Sequence, residues 1–139
     1  MKRYIARVLL VSVLLAGVAI NVDPADASSS ADIPFISIAE LKAKLADPSI
    51  VILDVRIPKH IDASRFKIKG AIWVNPNEFD QWVQSFSRDA TYVLYWDWPA
   101  EATSARVAQK MKDIGFSDVY VLKGGWKAWQ LFDYPVDPI

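Results

Sequence analysis

The sequence predicts an α/β domain: an open, mostly parallel sheet of about 4–5 strands with helices on both faces. Two observations carry this reading. First, Ile50–Val55 and Tyr92–Tyr95 are nearly continuous β-branched, aliphatic and aromatic runs, the composition of strands buried on both faces. Second, these runs alternate with segments whose apolar residues recur at helical spacing, as crossover units require. A chain of 139 residues holds one ordinary domain of this kind.

Taken in order, the chain opens on Lys2, Arg3 and Arg7, then an apolar run of about 13 residues from Val8 to Ile20. That run is shorter than the roughly 20 residues of a membrane span. It is followed by Ala25-Asp26-Ala27, a small-x-small cleavage pattern. Residues 1–27 therefore read as a secretory signal, residues 28–35 as a polar leader, 36–136 as the folded domain and 137–139 as a tail. The expected location is periplasmic or secreted. The alternative is anchoring to the inner membrane by an uncleaved signal, and after cleavage no stable membrane span is expected.

Phe35–Ile38 is a short strand candidate. Ser37 is placed to cap a helix running to Leu45, with Glu40 as its capping-box partner, and Asp47-Pro48 stops it. Ile50–Val55 is the next strand, ending in Asp54-Val55-Arg56 before Pro58. Lys59–Lys69 reads as polar and irregular, with His60 solvated and without a base partner. Ala71–Val74 reads as a strand and Glu78–Phe86 as a helix with Phe79, Trp82, Val83 and Phe86 on one face. After the strand Tyr92–Tyr95 comes a helix from Ala102 closed by Gly115 as its C-cap. Asp118–Leu122 is the last expected strand, and Trp126–Leu131, after Gly124-Gly125, a closing helix. Trp126 and Trp129, three residues apart on that helix, read as packing.

Ligands of such sheets bind at the carboxyl ends of the strands. That rule singles out the loop Trp96-Asp97-Trp98-Pro99-Ala100-Glu101, which leads into Ala102 and Thr103, with Asp54, Arg56, Gly124 and Gly125 as supporting residues. Amides that converge on a helix start attract anions. Charge is balanced, 16 basic against 16 acidic residues, which gives no reason to expect nucleic acid or an anionic membrane as partner. The absence of cysteine excludes disulfides, thiolate metal sites and cysteine nucleophiles together. One histidine makes no metal site, and Ser104 has no histidine beside it, so neither a metal, a cofactor nor a serine nucleophile is expected.

The strand–loop–helix of residues 91–106 resembles the active-site segment of the rhodanese-like domains, and Glu101–Ala108 resembles one bacterial branch of that family. Asp54-Val55-Arg56, Lys69-Gly70-Ala71-Ile72, Gly124-Gly125-Trp126-Lys127-Ala128-Trp129 and Tyr134-Pro135-Val136 look like family signatures in the family order. The resemblance covers roughly Ile36 to Val136. It implies a rhodanese-like fold and sulfur transfer through a loop cysteine directly after the strand.

That cysteine position is Trp96. Sulfur transfer needs a polarisable thiolate, which an indole does not replace. Where family loops often carry Gly and Arg, this chain has Pro99, which removes a backbone donor, and Glu101, which adds a negative charge beside that of Asp97. Either acidic residue also reads as a simple cap for the helix at Ala102. Trp96 and Trp98 have two readings: rings that fill the vacated cavity, or a rim anchor for a partner. Asp54 and Arg56 read as a structural pair or turn cap. The expectation is an exported, catalytically silent module that binds a protein partner or small anion through residues 96–103. The alternative is a rhodanese-type sulfurtransferase.

Overall fold

Period-two alternation on the central strands decides the architecture. On β5, Thr91–Tyr95, the side chains of Tyr92 and Leu94 enter one core and those of Val93 and Tyr95 the other. On β2, Ile50–Asp54, Leu53 joins the first core and Ile52 the second. Strands apolar on both sides must be covered on both sides. The computed structural model, which describes residues 33–98 and 102–139, has that form.

Five parallel strands lie in the order β1-β6-β5-β2-β4. β1 is Phe35–Ile36, β4 is Ile72–Trp73 and β6 is Val119–Leu122. One face packs under α3, Phe79–Trp82, and α4, Ala102–Asp113, which contribute Phe79, Val107, Ala108 and Met111. The other face packs under α1, Ile38–Ala43, and α5, Gly125–Leu131, which contribute Leu41, Trp126 and Trp129. The expected fold class is therefore the observed one.

Local chemistry sets the element ends. The Ser37 hydroxyl accepts from the Glu40 amide at 3.1 Å while the Ser37 amide donates to the Glu40 carboxylate at 2.8 Å, the reciprocal box foreseen for α1. At the end of α4, Gly115 takes φ +102°, its amide donates to Lys112 O, and the Phe116 amide reaches back to Met111 O at 3.1 Å. These two bonds form a Schellman motif, with Phe116 and Met111 both buried in the same core.

Three expectations need correction. Lys59–Lys69 is not irregular: it holds α2, Pro58–Asp62, and β3, Phe66–Ile68. Pro58 at the first helical turn starts α2. β3 pairs antiparallel with β7, Val136–Pro138, so residues 137 and 138, set down as tail, belong to a strand. A three-residue strand with one buried side chain leaves no period to read, and its partner is distant in sequence. The helix expected over Glu78–Phe86 is divided, with 3₁₀ turns at Pro76–Glu78 and Val83–Ser85 flanking α3.

Residues 1–32, which include the expected signal and most of the leader, lie outside the described residues. Among the described residues no helix is long and apolar enough to cross a membrane.

Candidate functional site

The site is built where β2 and β5 end side by side. Their register sets Asp54 opposite Tyr95, and the Val55 amide donates to Tyr95 O at 3.0 Å. Directly after Asp54 the chain turns, and Arg56 folds back on it. The Arg56 guanidinium donates from Nε and Nη2 to the Asp54 carboxylate at 2.9 and 2.6 Å, and both side chains are wholly buried. The Arg56 amide adds a bond to Asp54 Oδ1 at 3.1 Å. This is the structural pair and turn cap read from the sequence.

The remaining donors of Arg56 reach Ser64 Oγ at 3.1 Å and Phe66 O at 3.0 Å, so the pair also fixes the chain between α2 and β3. Tyr95 completes the network. Its hydroxyl donates to Asp54 Oδ2 at 2.7 Å and accepts from the Ile68 amide at 3.1 Å. Trp126 closes it from above, 4.6 Å from the Arg56 guanidinium and stacked on Tyr95 at 29°. Trp126 and Trp129 are both buried, as packing residues should be.

Burial alone would lower the basicity of Arg56, but the hydrogen bonds and charge of Asp54 outweigh it and leave the group above its ordinary value. Burial first, and then the charge of Asp54, holds Tyr95 well above the ordinary tyrosine value. A buried pair of this kind is sensitive to loss of one partner: the stranded charge costs about 3–5 kcal/mol.

The loop after β5 departs over this network, and its two indoles diverge. Trp96 turns back and packs against the core that holds Leu94, Val107 and Val121. Trp98 stays at the rim, 48 % exposed, with the Lys127 ammonium 3.9 Å from its ring centroid. An extended loop would have sent both rings the same way, but the backbone bends at Asp97 and Trp98.

The start of α5 holds the loop from below. The Trp126 amide donates to Trp96 O at 2.7 Å and the Lys127 amide to Asp97 O at 3.2 Å. Gly125 sits at φ +59°, and a Cβ there would lie 2.5 Å from Trp96 O, so this close approach requires glycine. Gly124 at φ +86° is equally constrained, since a Cβ would meet that of Ala128 at 2.6 Å. Of the two glycines singled out in the sequence, Gly125 thus lies against the loop and Gly124 shapes the start of α5.

Asp97, one of the two candidate caps for α4, has an ion-pair partner on α2. Its carboxylate meets His60 Nδ1 on α2, so His60, half-buried, is not without an acidic partner. The two residues are distant in sequence and are brought together by the turn after β2. Of the other loop residues, Ala102 is exposed and Thr103 half-buried at the start of α4, while Pro99, Ala100 and Glu101 lie outside the described residues. Ser104 is buried.

Beside the loop opens a cleft of about 510 Å³. It is lined by residues of α2 and the turn after it, among them His60 and Arg65, by Phe66 on β3, by Asp97 and Trp98 of the loop, and by Trp126 and Lys127 of α5. Sequence reasoning missed Tyr95, His60, Arg65, Phe66 and Lys127 as site residues. Only Tyr95 had a usable signal, since it ends the strand that pairs with β2 just where Asp54 ends its own. Among the described residues no cluster of His, Cys, Asp or Glu has the makings of a metal site.

Comparison with known proteins agrees with this geometry. Residues 37–131 match the family model described as the rhodanese-like domain. The chain belongs to the rhodanese-like domain family. It is 28% identical over 95 residues to a thiosulfate sulfurtransferase, GlpE, of Tolumonas auensis, across 68% of this chain and 86% of that protein. It is 29% identical over 86 residues to a tRNA uridine(34) hydroxylase of a Wolbachia from Brugia malayi, across 58% of this chain. The match spans only 30% of the hydroxylase's own length. In structure it resembles a rhodanese-like domain from Anabaena with a TM-score of 0.66 and 25% identity, over 76% of this chain and 80% of that one.

Tyr95→Phe tests the buried network. It strips Asp54 of one donor and leaves the Ile68 amide without its acceptor, so stability at neutral pH is expected to fall by about 1–3 kcal/mol. The raised Tyr95 group also has a signed pH effect. Its stabilisation is complete below the ordinary tyrosine value of about 10 and is lost as the pH rises beyond it, because the unfolded chain releases this proton first. Denaturant melts between about pH 9 and 11, one unit either side of the tyrosine value, are therefore expected to fall less steeply for Tyr95→Phe than for the parent. Tyr92, raised by burial, and Tyr120, raised by Asp118, leave a residual slope in both.

Proposed function

We propose that this chain is a rhodanese-fold binding module, exported from the cytoplasm and silent in sulfur transfer, that engages a partner protein or small ligand through the 96–103 loop. One observation carries the reading. The residue directly after β5 is a tryptophan whose ring packs into the core, and the sequence contains no cysteine. A sulfane sulfur is carried as a persulfide on a thiolate, and no side chain here forms one. What the cleft offers instead is exposed aromatic surface at Trp98 and cations at Arg65 and Lys127, the equipment of recognition.

The Tolumonas relative named as a thiosulfate sulfurtransferase supports a second reading, in which this chain also moves sulfur. That reading requires a thiol supplied by another molecule. The purified protein is expected to give no thiocyanate from thiosulfate and cyanide. Turnover that disappears on changes in the loop would establish the second reading and overturn the first.

Restoring the thiol alone is expected to achieve little. Trp96→Cys removes a ring from the core, while Pro99 still lacks an amide donor and Glu101 still brings a negative charge. Its thiosulfate turnover should stay near background, and robust activity would count against the obstructive role given to those neighbours.

Export rests on the basic start, the short apolar run and Ala25-Asp26-Ala27. Intact-mass measurement of the protein recovered from a bacterial periplasm is expected to show a chain beginning at Ser28. Recovery of the full-length mass from the membrane fraction would support the anchored form instead.

A further inference from the structure

The cleft beside the loop is more specific than a general binding surface, and its specificity rests on the binding role proposed above. Two aromatic side chains line it with much of their surface free: Trp98, 48 % exposed, and Phe66, 44 % exposed. Charge is the second component. Of the lining cations, Arg56 is consumed by Asp54, Ser64 and Phe66 O, and among the described residues the only lining carboxylate, Asp97, lies against His60.

That leaves Arg65 and Lys127. Among the described residues neither has a carboxylate within ion-pair distance, and Lys127 rests on the face of Trp98. An ammonium stacked on an indole is held in place yet keeps donors for an incoming acceptor. Asp97 occupies the Nδ1 side of His60, which leaves Nε2 as that ring's means of meeting a ligand.

We infer that this cleft takes a small planar organic anion, with its flat apolar body against Trp98 and Phe66 and its acidic group against Lys127 and Arg65. A volume of about 510 Å³ falls in the range of small-molecule sites, which join apolar walls to a few placed polar groups. An inorganic anion satisfies only the cations, and a neutral aromatic only the rings. The pairing of the two is what selects the ligand class, and neither component involves a sulfur carrier.

Isothermal titration calorimetry of the full chain with 2-naphthoate, 2-naphthamide and inorganic phosphate tests this. Naphthoate is expected to bind, with the amide and phosphate each weaker by about tenfold or more. Lys127→Ala and Trp98→Ala should each weaken naphthoate binding by about tenfold or more. Both positions are exposed, and an unchanged melting temperature verifies that the variants fold.

Phosphate binding as tightly as naphthoate would show a cleft that reads charge alone and would overturn the inference. Amide binding as tightly would show an apolar groove and overturn it equally. Naphthoate affinity unchanged in both variants would place the ligand elsewhere, and no binding at all would remove the ligand class. None of these outcomes bears on sulfur transfer, which stands or falls by turnover.

Discussion

The buried ion pair between Asp54 and Arg56 is the interaction on which the rest of the structure depends. It sits at the end of β2 with no access to solvent, where an unpaired charge would be intolerable. Each remaining polar atom of the pair is therefore met by a different part of the chain: Tyr95 from β5, Ser64 after α2, and the carbonyl of Phe66 on β3. The same requirement that neutralises the charge thus gathers the ends of β5 and α2 and the start of β3 beside the cleft. Trp126 stacked on the guanidinium extends the reach of the pair to α5.

Above that foundation the loop is fixed by backbone contacts that do not depend on which side chain stands at residue 96. Trp96 O and Asp97 O accept from the first amides of α5, and Gly125 allows the approach. A family architecture built to present one reactive atom is retained while the atom itself is gone. The indole that replaces it packs against the core under α4, while Trp98 lies at the rim beneath Lys127 and Asp97 meets His60.

The sequence made the fold legible where physics is local or strongly periodic. The double-sided apolar runs of β2 and β5 announced a covered parallel sheet, and Ser37 with Glu40 announced the start of α1. Asp54 and Arg56 were recognisable as a structural pair because two residues at a turn after a buried strand have few other uses. What stayed hidden depends on contacts between distant segments. β3 and β7 carry too few buried residues to show a period, and each exists because the other pairs with it. His60 meets Asp97 only because α2 and the loop both lie over the ends of the central strands. The divergence of the two indoles followed from a backbone bend that neither residue signals.

The bond from the Lys127 amide to Asp97 O has a further consequence. It joins the segment that carries Lys127 to the one that carries Trp98, so the ammonium and the indole beneath it are mounted on a single braced unit rather than on two independent arms. On the binding role proposed above, such a unit is set before a ligand enters it. A molecule that settles there has little chain to immobilise, and its affinity follows from the fit of its own shape and charge.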